Sequence, residues 1–203
     1  MSENTGSAPG SALNRATMAE ILAKNFERLP DADKKFFMYG PMYLGGNAGL
    51  GGMIANSLYR RALNVTQAPI ASSLPMTVLP FLTTVAVYNA AVCSPLLSGD
   101  LNCPTCALIR GGLVGLLGAG LYPILLALPV NAGLATRYST APMPQKGNHL
   151  RFWWELSRPI LKRMRAVLLL QVFFGAFLGS RHHQKYIQLA QMTYTSDGEE
   201  LKD

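Results

Sequence analysis

The chain has 203 residues, of which 14% are charged and 49% hydrophobic, and its 18 basic and 11 acidic side chains leave a net charge of +7. Soluble globular domains carry roughly 25% charged residues, so this composition argues against a water-soluble domain. The positive excess speaks to membrane surfaces and topology more than to nucleic acid, since no basic stretch suggests nucleotide binding.

Residues 1–15 are rich in Ser, Gly, Ala and Asn, are expected to be disordered, and lack the features of a secretory signal. Over 16–36 the stretch Thr17-Met18-Ala19-Glu20 fits a capping box. Met18, Ile21, Leu22, Phe26 and Leu29 follow at helical spacing, predicting a short amphipathic helix that Pro30 closes and that leads into the membrane. Three uncharged runs come next: Phe36–Tyr59 with 24 residues, Ala62–Gly99 with 38 and Gly111–Thr136 with 26. Each exceeds the roughly 20 apolar residues that cross a bilayer.

These runs predict spans over 37–59, 75–92 and 110–130, the second starting late because Pro69, Pro75 and Pro80 make its beginning irregular. Residues 137–161 read as a polar loop in which Phe152, Trp153 and Trp154 form an interfacial anchor. A fourth span over 162–181 is centred on the 15 uncharged residues Ala166–Ser180, which rise only about 22 Å as a helix. Arg163, Arg165 and Arg181 at its ends can extend their stems toward the head groups. A polar tail occupies 182–203. The expected fold is an all-α membrane protein, a bundle of about four transmembrane helices over 37–181 preceded by the short amphipathic helix.

The glycines carry a second pattern. "GGNAGLGG" invites a dinucleotide fingerprint, but counting from Gly49 the last glycine position is Ile54, and no strand precedes it. Close helix packing explains the glycines better. Gly45 and Gly49 stand one turn apart, as do Gly111 and Gly115, and Gly175 and Gly179. Such small-xxx-small faces let helices approach within lipid. These six residues are the candidate packing or partner faces.

Catalytic chemistry is sparse. From Lys35 to Ser196 the only acids are Asp100 and Glu155, so the long runs hold no ionisable group for an ion-coupled carrier. No P-loop, zinc-protease or hydrolase motif occurs. His182 and His183 are adjacent, which on a helix turns them about 100° apart, and they fit the end of the fourth span better than a metal site. Cys103-Pro104-Thr105-Cys106 is a C-x-x-C leading into a helix whose N-terminus lowers a thiol pKa. It stands as a candidate thiol pair, either plain thiols or a loop staple, with a membrane thiol oxidoreductase as the alternative and a passive channel or carrier as a third. No catalytic residue, metal or cofactor is expected. Asn64-Val65-Thr66 is an N-glycosylation sequon that matters only in a secretory lumen.

"IANSLYRRALNVTQA" (54–68), "LPMTVLPFLTT" (74–84), "GDLNCPTC" (99–106), "GLYPILLALPVNAGLATRY" (120–138) and "PQKGN" (144–148) together resemble the transmembrane protein 126 family over roughly residues 20–190. Its A-type branch is the nearer, since the C-x-x-C loop and the "PVNAGLATRY" stretch are both present. The resemblance implies a non-enzymatic, multi-pass protein of the mitochondrial inner membrane that helps assemble the membrane arm of respiratory complex I. Its expected partners are membrane-arm subunits, other assembly factors and lipid. Lys and Arg are divided nine and nine between the two sides, so charge leaves orientation open; the resemblance implies termini in the matrix.

Overall fold

The computed structural model describes residues 30–141 and 149–200. The expected disordered segment 1–15, residues 16–29 of the amphipathic helix, residues 142–148 of the loop and the last three residues of the tail lie outside the described residues. The described residues form four helices and no strand: α1 (Asp31–Ala62), α2 (Pro69–Leu97), α3 (Pro104–Tyr138) and α4 (His149–Glu200). Prolines mark three of the starts. Pro30 precedes α1, while Pro69 and Pro104 open α2 and α3, where a missing N–H costs nothing. Asp31 and Asp33 in the first turn of α1, and Arg60 and Arg61 in its last, complement the helix dipole.

Both middle helices contain a widened turn, at Asn89–Cys93 in α2 and Gly115–Leu121 in α3. There Ser94 and Tyr122 donate to carbonyls five residues back, at Asn89 and Leu117. Each widened turn lies just before a proline, Pro95 or Pro123, whose absent N–H breaks the regular ladder. Pro95 leaves the Ala91 carbonyl without its usual donor, and the Arg110 guanidinium reaches it at 3.4 Å. Pro80 likewise frees the Met76 carbonyl, which Gly52 of α1 approaches.

Consecutive helices run antiparallel, with α1 packed along α2 and α3 along α4, while α1 also touches α3 and α4. One end of the bundle holds the start of α1, the α2–α3 turn and residues 182–189 of α4, over a core of Leu44, Tyr88, Val92, Leu96, Leu178 and Leu189. The other end is filled by Ala55, Tyr59, Met76, Ile124, Ile160 and Met164.

The helices exceed the extents expected from sequence. The early prolines of α2 are absorbed within the helix, so it begins at Pro69 and not at 75. The expected polar loop over 137–161 is helical to Tyr138 and again from His149, and the expected polar tail over 182–203 is helical as far as Glu200. At 52 residues α4 is about 78 Å long. Only α2 and α3, among the described helices, are long and apolar enough to cross a membrane. Glycine, asparagine and tyrosine lower the hydropathy of α1, and cations at Arg165 and Arg181 confine the apolar part of α4.

Candidate functional site

Two backbone seams hold the bundle together. Gly45 and Gly49 face α2. A Cβ on Gly45 would stand 2.7 Å from the Val85 side chain and 2.9 Å from the Phe81 carbonyl oxygen, and one on Gly49 would stand 2.9 Å from the Thr77 oxygen. The α3–α4 seam is tighter and reciprocal. A Cβ on Gly111 would strike the Gly175 carbonyl oxygen, and one on Gly175 would strike that of Gly111. Gly115 abuts the Gln171 carbonyl, and Gly179 that of Ala107. All six glycines marked by their spacing are therefore buried against another helix of the same chain.

Each end of the bundle also buries a polar cluster, and of these residues the sequence singles out only the two histidines. At one end the Asn131 amide donates to the Asn56 side-chain oxygen at 2.8 Å, and the Asn56 amide donates to Ser72 at 3.2 Å. Arg60 donates to the same Ser72 hydroxyl at 2.9 Å and to the Gln67 carbonyl at 2.8 Å, tying the α1–α2 turn to the core. Tyr59 and Ser157 pair at 2.8 Å between α1 and α4. Asparagines inside the uncharged runs were the available signal, since a buried amide needs a partner.

At the opposite end His182 and His183 are buried along a continuing helix, not exposed at its terminus as a cationic cap. His182 Nε2 lies 3.4 Å from the Phe36 carbonyl, which can only accept, and Nδ1 lies 2.8 Å from the Tyr88 hydroxyl. This satisfies both nitrogens of a neutral ring. His183 contacts the Asn102 carbonyl at 3.3 Å, and Lys185 pairs with Asp33 at 2.9 Å. Among the described residues no group of metal-ligating side chains occurs.

The thiols divide sharply. Cys93 is buried, whereas Cys103 and Cys106 are exposed at the start of α3. The Cys106 thiol donates toward the Cys103 sulfur and holds its pKa below the ordinary thiol value. Alkylation of the folded protein by a maleimide is therefore expected to modify two cysteines per chain, with Cys93 reacting only after denaturation. Modification of all three in the folded state would contradict this arrangement.

Every helix exposes large apolar side chains. Met38, Tyr43 and Leu50 on α1, Ile70, Leu74 and Leu82 on α2, Leu113, Leu117 and Leu125 on α3, and Leu169, Phe173 and Phe177 on α4 are all exposed. Soluble monomers rarely expose contiguous apolar surface of this kind.

A family model described as "Transmembrane protein 126" matches residues 16–196. The chain is 51% identical over 172 residues to Transmembrane protein 126A of Mus musculus, covering 85% of this chain and 88% of that protein. It is 47% identical to Transmembrane protein 126A of Homo sapiens, with the same two coverages. To the protein named "Complex I assembly factor TMEM126B, mitochondrial" of Mus musculus it is 33% identical over 166 residues, covering 82% of this chain and 71% of that protein. No solved structure matches.

Proposed function

The chain belongs to the transmembrane protein 126 family, and on that premise we propose that it is a non-enzymatic scaffold for assembling the membrane arm of mitochondrial respiratory complex I. In this proposal all four helices cross the inner membrane, both termini lie in the matrix, and membrane-arm subunits or other assembly factors dock on the outward apolar faces. The observation that carries the proposal is the 33% identity, over most of the chain, to a relative named as a complex I assembly factor. The exposed apolar side chains on α1 and α4, beside those on α2 and α3, support four crossings. A helix whose outer face is Leu169, Phe173 and Phe177 needs lipid or a partner against it.

Loss of the protein from cells is the direct test. Complex I is expected to stall with incomplete membrane modules, and unchanged assembly intermediates would overturn the proposal. A second reading, a membrane thiol oxidoreductase, is favoured by the exposed Cys103–Cys106 pair. The double variant C103S/C106S separates the two. Full rescue of assembly fits the scaffold, and abolished rescue by a stably expressed double variant fits the oxidoreductase.

A further inference from the structure

The end of the bundle that carries the α1–α2 turn has a run of exposed cations on α4: Arg158, Lys162, Arg163 and Arg165. Their depth follows from packing. Ser157 pairs with Tyr59, which closes the uncharged run of α1. From Ser157, Lys162 lies about 7.5 Å and Arg165 about 12 Å nearer the middle of the bundle, at roughly 1.5 Å per residue. At that depth the neighbouring helices are uncharged, and Met164 packs in one cluster with Met76, Ala55 and Ile124. Cations thus stand one to two turns inside the apolar band, where an isolated charge is costly.

Arg158, Lys162 and Arg165 follow i, i+4, i+7 spacing and share one face. With Pro159, Leu161 and Leu168 they line an open groove of about 550 Å³ on the surface of α4. Among the described residues none of the three pairs with a carboxylate, the ion pairs being those of Lys34, Arg151 and Lys185. The Arg165 Nε donates to the Lys162 carbonyl at 3.3 Å, which turns its side chain back toward the other two cations. Toward the bundle middle the same helix exposes Leu169 and Phe173, at 71% and 67%.

We propose that this groove binds the head group of an anionic phospholipid. Its phosphate oxygens accept from the Arg158 and Arg165 guanidiniums and the Lys162 ammonium, and its acyl chains lie along Leu168, Leu169 and Phe173. Charge complementarity selects this occupant. Three unpaired cations ask for net negative charge, which a zwitterionic head group lacks, and the adjoining apolar surface asks for chains, which a free anion lacks. The site offsets the cost of placing α4, whose uncharged stretch is only 15 residues, in a hydrocarbon layer about 30 Å thick. It rests on the membrane-spanning part of the proposed function.

The test reconstitutes the full chain in nanodiscs made from equal amounts of phosphatidylcholine and phosphatidylglycerol, and identifies retained lipid by native mass spectrometry. The wild-type chain should retain phosphatidylglycerol preferentially, and single Gln substitutions at Arg158, Lys162 or Arg165 should each weaken retention about fivefold. Arg181→Gln, at the other end of the apolar stretch, should leave it unchanged. No preference in the wild type, or equal retention in R158Q/K162Q/R165Q, overturns the site. Displacement of the lipid by inorganic phosphate or by an acidic peptide also overturns it, in favour of a small anion or a protein partner. Failure of the chain to enter the discs refutes the membrane-spanning reading and the site together, whereas entry without preference refutes only the site.

Discussion

Gly175→Ala is expected to destabilise the bundle by about 2–3 kcal/mol, the range for forcing extra volume into a close-packed interior. The added methyl has nowhere to go, because the Gly111 carbonyl oxygen and the Gly115 Cα occupy its place. Moving α4 away from α3 is the only relief, and this would also loosen Gly179 from Ala107 and Gly115 from Gln171. Gly111→Ala should cost a similar amount. Since both substitutions push apart one crossing, the double variant should cost clearly less than their sum. Gly46→Ala and Gly133→Ala provide the contrast. Among the described residues a Cβ at either position meets nothing within 4 Å, so alanine's helix preference should stabilise by roughly 0.5–1 kcal/mol. Thermal unfolding of the four single variants and the double in one detergent gives the comparison. Equal effects at Gly175 and Gly133 would contradict the seam.

Asn56→Leu should cost about 2 kcal/mol, the penalty for stranding buried hydrogen-bonding groups. Asn56 links three helices by donating to Ser72 on α2 and accepting from Asn131 on α3 while sitting on α1. Asn131→Leu should cost less than half as much. Among the described residues its side-chain oxygen lacks a partner, so leucine removes an existing penalty as it takes away the donor to Asn56. The order of the two variants in a denaturation series tests the network; an Asn131 variant as unstable as the Asn56 variant would contradict it. Polar contacts between membrane helices often contribute below about 1 kcal/mol each, so it is the hub position that makes Asn56 costly.

The sequence carries the helical class plainly, because each uncharged run falls largely within one helix, and α2 and α3 are legible from hydropathy alone. Their ends are not. Pro69, Pro75 and Pro80 look like interruptions, yet a proline at the first helical position is favourable, and Gly52 lies against the carbonyl that Pro80 frees. The beginning of α4 was hidden by its charge. Seven basic residues between 137 and 165 look like a loop, but Trp153, Leu156, Ile160, Met164 and Val167 recur at three- and four-residue spacing and pack inward. That period was the missed signal.

Spacing marks Gly111 and Gly175 as small-residue positions without saying that they meet, since pairing 64 residues apart is decided by the turns and by which faces remain apolar. The same holds for Asn56 with Asn131 and for Tyr88 with His182, whose partners are separated by 75 and 94 residues. The uncharged run that ends at Ser180 places His182 and His183 at a helix end. The helix instead continues, Tyr186 and Leu189 on its next turns pack into the core at that end, and Phe36, Phe37 and Tyr88 lie against the His182 ring. The exposed thiols were legible as a motif, but their accessibility depends on the α2–α3 turn that presents Cys103 and on the helix that carries Cys106.

Blue-native complexome profiling of mitochondria is the decisive test of the proposed scaffold role in complex I assembly. The profile is predicted to show the chain co-migrating with incomplete membrane modules of complex I and absent from the finished enzyme. Migration alone, or only with complexes unrelated to respiration, would contradict the account.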